Sequence, residues 1–398
     1  MDLAAKLSRI AGLRAQIAAV VPRRADLPGR EERNEEGVCF VRDERFPSDH
    51  RHGARRLGEL VGRPAGALAR LARAPALAGI DLGRALFLDT ETSSLGGGAG
   101  TYVFLVGVGW FEEGAFRVEQ YFLRTHGEER ALLCGLGRRL AAHPLLVSFA
   151  GRAFDAPRIR DRFSFHRLRP EGPWDRHLDL LPAGRRLWRG ALPDHRLRTL
   201  ETALLGVARD DDLPGEECPA AWFRWLHGDA SLVSRVFRHN LLDVVTLVAL
   251  AAEALEALAA PRGPSEALAR ARLAVDERDL AGAWTWIQAA LDGGPPAGLE
   301  AEALLLGARV LRRSGAPDGA AALWRRAAEH AALGGLPHVE LAKFHEHRLR
   351  DYAGALREVE TAERKGRPLG GDDLSRRRRR LVGRTTATSD LRPDGSCP

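Results

Sequence analysis

Hydrophobic positions change period along this chain, and the changes divide it. Leu3, Leu7, Ile10, Leu13, Ile17 and Val20 recur at three- and four-residue steps, one face of a helix, with Lys6, Arg9 and Arg14 between them. A polar stretch follows over 23–36, then a segment with Cys39, Phe40 and the cluster His50-Arg51-His52-Gly53. A Leu/Ala-rich stretch over 58–79 predicts more helix. Residues 1–83 therefore read as a helical and irregular extension. His50 and His52 have no acid or cysteine partner at ligand spacing, so they read as loop or packing residues rather than metal ligands.

From 84 onward the pattern is α/β. Apolar runs at 84–89 and 101–110 and an alternating segment at 114–123 predict three strands. A Gly-rich turn at 93–100 joins the first two, which gives the sheet an antiparallel start. Residues 128–142 predict a helix stopped by His143-Pro144, 145–149 another strand, and 154–163 and 230–258 two more helices. The predicted fold of 84–260 is thus a mixed sheet flanked by helices. Pro261, Gly263 and Pro264 mark a boundary, and 263–366 predicts only helices. There Leu280-Ala281-Gly282-Ala283 resembles Tyr352-Ala353-Gly354-Ala355, with Asp318-Gly319-Ala320-Ala321 between them. The spacing of these glycines is near the roughly 34-residue period of tetratricopeptide helical hairpins. Residues 367–398 are polar and Gly/Arg-rich and predict a disordered tail.

Composition refines this picture only locally. A chain of 398 residues exceeds what one core usually organises, in keeping with two domains. With 45% apolar and 28% charged residues it is neither a wholly disordered nor a collagen-like or coiled-coil protein. No uncharged apolar run reaches the ~18 residues of a membrane-spanning helix. The charged N-terminal helix does not fit a signal peptide, so the expected location is the cytoplasm. The net charge of +7 is concentrated at 364–384, where nine basic side chains face only Asp372 and Asp373. That segment is a candidate for nucleic-acid contact, with a solvated tail as the alternative. Cys39, Cys134, Cys218 and Cys397 are widely spaced, suggesting reduced thiols and neither a disulfide framework nor a thiolate zinc site.

Three segments carry candidate chemistry. In Leu86-Phe87-Leu88-Asp89-Thr90-Glu91-Thr92, Asp89 and Glu91 lie two apart on a predicted strand and share a face. Adjacent carboxylates repel unless a cation lies between them, and oxygen ligands suit Mg²⁺ or Mn²⁺. The segment 145–155 reads as strand, Gly turn, then Phe154-Asp155 entering a helix, where an Asp also serves as an N-cap. In His239-Asn240-Leu241-Leu242-Asp243 the His and Asp lie four apart and share a helix face.

Together these segments resemble the DEDD exonucleases, whose ribonuclease-H-like fold carries four acids on three motifs. The resemblance puts Asp89 and Glu91 in the first motif, Asp155 in the second and Asp243 in the third. The stretch from Ser148 to Asp155 looks like the (Tyr/Phe)-Asn-Gly-x-x-Phe-Asp form of family B polymerase proofreading domains, with Ala150 where that form has Asn. The chain is closer still to the YprB-like family of bacterial ribonuclease-H-like proteins. That likeness rests on Gly100-Thr101-Tyr102-Val103-Phe104-Leu105-Val106-Gly107, Gln120-Tyr121-Phe122-Leu123-Arg124, His177-Leu178-Asp179-Leu180-Leu181-Pro182 and Asp212-Leu213-Pro214-Gly215-Glu216.

The resemblance implies a 3′→5′ exonuclease acting on DNA or RNA. Asp89, Glu91, Asp155 and Asp243 would hold two Mg²⁺ or Mn²⁺ ions, with Thr92 and Phe154 at the bound nucleotide. His239 stands four residues before Asp243, the spacing at which the tyrosine subclass places Tyr; the histidine subclass places its His five before. A histidine there suits general-base work near neutral pH. Asp179 reads as a packing or capping residue and Asp210 to Asp212 as a solvated loop. Trp222, Trp225, Trp284 and Trp286 read as core or helix-packing residues rather than base-stacking platforms. The helical repeats offer a surface for a protein partner. The rival functions are a non-catalytic nucleic-acid-binding or scaffold protein and a structure-specific endonuclease.

Overall fold

The computed structural model describes residues 27–94, 100–169, 171–366 and 371–389, without the side chains of 371, 372 and 386–389. The expected N-terminal helix over residues 3–20, the middle of the Gly-rich turn and Cys397 lie outside the described residues. Seven strands form one mixed sheet: β1 (Arg30–Asn34), β2 (Gly37–Pro47), β5 (Leu86–Thr92), β6 (Val103–Glu112), β7 (Ala115–Phe122), β8 (Leu146–Ser148) and β9 (His177–Asp179). Their order is β1-β2-β7-β6-β5-β8-β9, and a separate hairpin pairs β3 (Arg51–His52) with β4 (Arg55–Arg56). β5 pairs antiparallel with β6 but parallel with β8, so the strand carrying Asp89 and Glu91 sits where the sheet changes sense.

Two of these strands lie inside the expected irregular extension. β1 and β2 were hidden by charge. Their outer rungs carry Arg30, Arg42, Asp43 and Glu44, which pair with one another and with Glu119 of β7, while only Cys39, Phe40 and Val41 are buried in the core. Such charged rungs are usual near a sheet edge, where one strand side faces water. The helix expected over 58–79 is broken into α1 (Gly66–Leu71) and two short 3₁₀ turns. Pro64, Pro75 and the left-handed Arg73 (φ 59°) interrupt it.

One face of the sheet is covered by α2 (Glu129–Ala142) and α3 (Asp155–Phe165). There Gly135 lets α2 settle onto the Tyr121 ring, since a Cβ would approach it to 2.8 Å. The other face is covered by α5 (Cys218–Leu226) and α6 (Val233–Ala259), which follow α4 (Leu180–Leu187). Trp222 stacks on Phe104 with ring centroids 5.1 Å apart, and Phe122 meets Trp225 and Phe237 edge-on. Both tryptophans are therefore core residues.

The C-terminal region is helical: α7 (Pro264–Asp276), α8 (Leu280–Asp292), α9 (Ala297–Arg313), α10 (Pro317–Ala327), α11 (Leu336–Phe344), α12 (Tyr352–Lys365) and α13 (Gly371–Ser389), each packed on the next. Helix α13 corrects the expectation of a disordered tail over 371–389. Within its arginine run Leu374 and Leu381 lie seven residues apart and bury against Ala355, Val359 and Ala362. Arg377 and Arg380 bond to the buried Glu346.

The chain forms two compact units. One takes in the described residues through Arg186 together with Leu192–Glu256; the other joins Leu187–Ala191 to the chain from Ala257. The short excursion is held within the helical unit: Trp188 Nε1 donates to Glu266 (3.0 Å), and Ser265 Oγ bonds the carbonyls of Leu187 and Arg189. Among the described residues no helix is long and apolar enough to cross a membrane.

Candidate active site

Two glycines on β6 let the site form. Gly107 lies opposite Asp89 in the ladder, and a Cβ there would clash with the Asn240 amide and approach Val244 to 2.9 Å. Gly109 makes the same room for Val244. Helix α6 therefore lies close against the sheet, and its His239, Asn240 and Asp243 meet β5. One oxygen from each of Asp89, Glu91 and Asp243 falls within 4.8 Å of the others.

These acids lack enough cationic partners of their own. Burial raises Asp89 well above the usual carboxylate range, and the charges of Asp243, Asp155 and Glu91 raise it further. Glu91 is raised in the same way, by burial and then by Asp243. The partner of Asp89 is a neutral amide: Asn240 Nδ2 donates to its Oδ2 at 2.9 Å. Asn240 is itself oriented by Gln120 of β7, whose Nε2 donates to Asn240 Oδ1 (2.9 Å) and to the Phe237 carbonyl (2.7 Å). With its oxygen occupied by Gln120, the amide presents its NH₂ to Asp89.

Asp155, at the first turn of α3, stands outside this cluster of three, although its charge is felt by both Asp89 and Glu91. Its Oδ1 accepts from Thr90, and burial raises its pKa to about 6. It is not a side-chain N-cap. The turn before it is tight. A Cβ on Gly151 would clash with Ser148 and come within 2.8 Å of Asp155 Oδ2. Ala150 is left-handed (φ 61°), and Asp179 clamps the turn by accepting from the backbone N–H groups of Ala150 (2.8 Å) and Arg152 (3.2 Å). Asp179 is thus a backbone-capping residue. Thr92 Oγ1 donates to the carbonyl of Ser94, and Phe154 is exposed beneath Arg158.

The loop before α5 supplies what the sequence reading missed. Asp212 was expected in a solvated loop, yet its side chain is 1% exposed and both of its oxygens lie 3.1 Å from His239 Nδ1. A carboxylate only accepts, so Nδ1 donates, and Nε2 lies 3.4 Å from Asp243 Oδ2 and 3.7 Å from Glu91 Oε1. Arg209, 3% exposed, bonds Asp243 Oδ1 at 2.6 Å and Glu201 at the same distance. Burial alone would lower its guanidinium; Asp243 and Glu201 reverse that and hold it above the ordinary arginine value. Glu201 in turn receives Thr246 (2.5 Å) and His52 (3.1 Å), which makes His52 a packing residue. Only the Asp-Leu-Pro-Gly-Glu stretch gave any sequence signal for this loop.

A seven-strand mixed sheet, helices on both faces and acids of β5 clustered with one from α6 are the features of a ribonuclease-H-like protein, and residues 86–255 match the RNase_H superfamily. The chain carries a domain of that superfamily, whose members are generally phosphodiester-hydrolysing nucleases. It is similar to the uncharacterized protein YprB of Bacillus subtilis (strain 168), with 30% identity over 348 residues, 82% of this chain and 80% of that one.

Proposed function

We propose that the protein is a metal-dependent 3′→5′ exonuclease of the DEDD type, acting on single-stranded DNA or RNA. The observation that carries this reading is the convergence of Asp89, Glu91 and Asp243 on one point with only a neutral amide to steady Asp89. Three repelling carboxylates, with the pKa values of Asp89 and Glu91 raised, fit a divalent cation, and an all-oxygen donor set suits Mg²⁺ or Mn²⁺. Asp89, Glu91 and Asp243 would hold the ions, with Asp155 completing the set from α3. When bound, the ions would lower the pKa of water and offset charge on the scissile phosphate. Arg209 fixes one oxygen of Asp243 and leaves the other toward the cluster. Asn240 and Gln120 fix Asp89. His239, with Nδ1 held by Asp212, accepts at Nε2 the proton of the attacking water. Thr92 and Phe154 contact the terminal nucleotide.

The helical region is read as a tetratricopeptide-like docking surface for a protein partner. Supporting this, Gly282 and Gly354 both stand third in their helices, and each backbone N–H is capped by an Asp three residues earlier. The nuclease domain is read as 84–260 with β1 and β2 added, and 187–191 is assigned to the helical region.

The test is digestion of matched 5′- and 3′-labelled DNA and RNA, single- and double-stranded, under Mn²⁺, beside Asp89→Ala. Mononucleotides released from the 3′ end, absent with Asp89→Ala, support the reading. Internal cuts point instead to an endonuclease, and no cleavage of any substrate to a binding or scaffold protein. His239→Ala should lower the rate by roughly 10²–10⁴, the usual worth of a general base.

A further inference from the structure

Beside the three carboxylates lies a second ligand set of different chemistry. Glu91, Cys218 and His239 each offer an atom within 4.8 Å of the other two. Cys218 is fully buried at the first turn of α5, its sulfur within 4.8 Å of a Glu91 oxygen and 3.9 Å from the Pro214 carbonyl. The His239 Nε2–Glu91 Oε1 separation of 3.7 Å is near the ~3.4 Å edge expected for a tetrahedron with bonds of about 2.1 Å. Asp212 on Nδ1 is the carboxylate–histidine arrangement that fixes the tautomer and strengthens the imidazole as a ligand. Gly215 keeps the approach to Nε2 open, since a Cβ there would lie 3.3 Å from it. A thiol adds nothing for Mg²⁺, but sulfur, nitrogen and oxygen together are the donor set of a softer ion.

We propose that Glu91, Cys218 and His239, backed by Asp212, bind a thiophilic transition-metal ion of the Zn²⁺ class, and that this ion blocks the nuclease centre because it takes Glu91 and His239 from it. The thiol proton leaves to solvent as the sulfur–metal bond forms. A water or Asp243 takes the fourth position. The blocking effect rests on the nuclease reading above; the binding site does not.

The full chain is loaded with one equivalent of Zn²⁺ and its Zn K-edge absorption fitted. One sulfur with nitrogen and oxygen scatterers is expected, and a shell of nitrogen and oxygen alone overturns the site. Titration with Co²⁺ should give a thiolate-to-cobalt charge-transfer band that is lost in Cys218→Ser and Cys218→Ala. A band retained in either folded variant assigns the sulfur to another cysteine and also overturns it. Asp212→Asn should weaken Zn²⁺ binding by about 10–100-fold. For the block, the Mn²⁺-supported rate with and without Zn²⁺ is compared within each protein. Zn²⁺ should suppress the wild type far more than Cys218→Ser, and equal suppression overturns the block. If no nucleic acid is cleaved, the exonuclease reading fails while the spectra still decide the site.

Discussion

The two faces of the central sheet treat buried carboxylates in opposite ways. On the α2 face, Glu119 of β7 is fully buried and surrounded by cations: Arg139 bonds it at 2.8 Å, Arg30 at 3.0 Å and Arg117 at 3.1 Å, with the Tyr121 hydroxyl at 2.8 Å. Despite burial, these partners hold its pKa below the usual glutamate value. On the α6 face, one strand over from Gly107, Asp89 faces other acids and one amide, and is raised. Burial is common to both, so it does not separate structure from function here. The distinguishing quantity is local charge balance: Glu119 is over-compensated by three arginines, whereas Arg209 on one oxygen of Asp243 leaves Asp89 and Glu91 for a cation from outside.

The largest effect that would break this contrast is on stability in opposite senses. Glu119→Gln removes the charge that three arginines converge on and should destabilise the protein by about 2–3 kcal/mol. That is below the ~3–5 kcal/mol of a fully buried broken pair, because Arg30, Arg117 and Arg139 are each about a third exposed. Asp89→Asn should leave the metal-free protein unchanged or more stable, since it removes a repelling charge. Urea midpoints of the two variants, taken in chelator, make the comparison. Destabilisation by Asp89→Asn as large as that of Glu119→Gln would show that Asp89 is a structural residue.

Titration sharpens the same contrast. Asp155 has its folded pKa raised to about 6 from an unfolded value near 3.9, and Asp89 and Glu91 are raised with it. Between those values the folded state binds more protons than the unfolded state. Stability from this group is therefore full below about pH 4 and falls as pH rises through 6. Glu119 and Glu201, with lowered values, act in the reverse sense: their stabilisation is present above the ordinary glutamate value and is lost as pH falls through their folded values. The metal-free protein should accordingly gain about 1–2 kcal/mol from pH 7 to pH 5 and lose stability below pH 4. Mn²⁺ should flatten the upper limb by holding the site acids ionised. Denaturation midpoints across pH, with Mn²⁺ and with chelator, measure it; identical upper limbs would mean that the ion does not engage these acids.

How much of this was legible follows from the same physics. Periodicity located β5 to β8 and helices α2, α3 and α6 because their buried faces are apolar. β1, β2 and α13 were missed because their polar faces carry paired arginines and acids that swamp a few buried side chains. Asp89 with Glu91, and His239 with Asp243, were legible as same-face pairs from strand and helix spacing; that the two pairs meet was what the DEDD resemblance implied. Arg209, Asp212 and Cys218 were not, because they belong to a loop and a helix end whose path is set by packing around His239. Gln120 and Asn240 lay within recognised stretches, yet their relay depends on ladder register, which no local pattern encodes.

The smallest expected effect concerns Ala150. Its backbone is left-handed (φ 61°), held there by the two bonds from Asp179 that shape the turn into Asp155. A non-glycine residue pays about 1 kcal/mol for that conformation, and asparagine tolerates it better than alanine. Ala150→Gly removes the Cβ conflict but frees the unfolded chain, so the two terms oppose. Ala150→Asn relieves part of the conflict without that entropy and should stabilise the protein by roughly 0.5 kcal/mol, with Ala150→Gly near neutral. Thermal melts of the two variants under chelator give the order. If both destabilise the protein by 1 kcal/mol or more, the alanine methyl is a packing contact in the turn, and the position answers to the fold around Asp155 rather than to its own backbone.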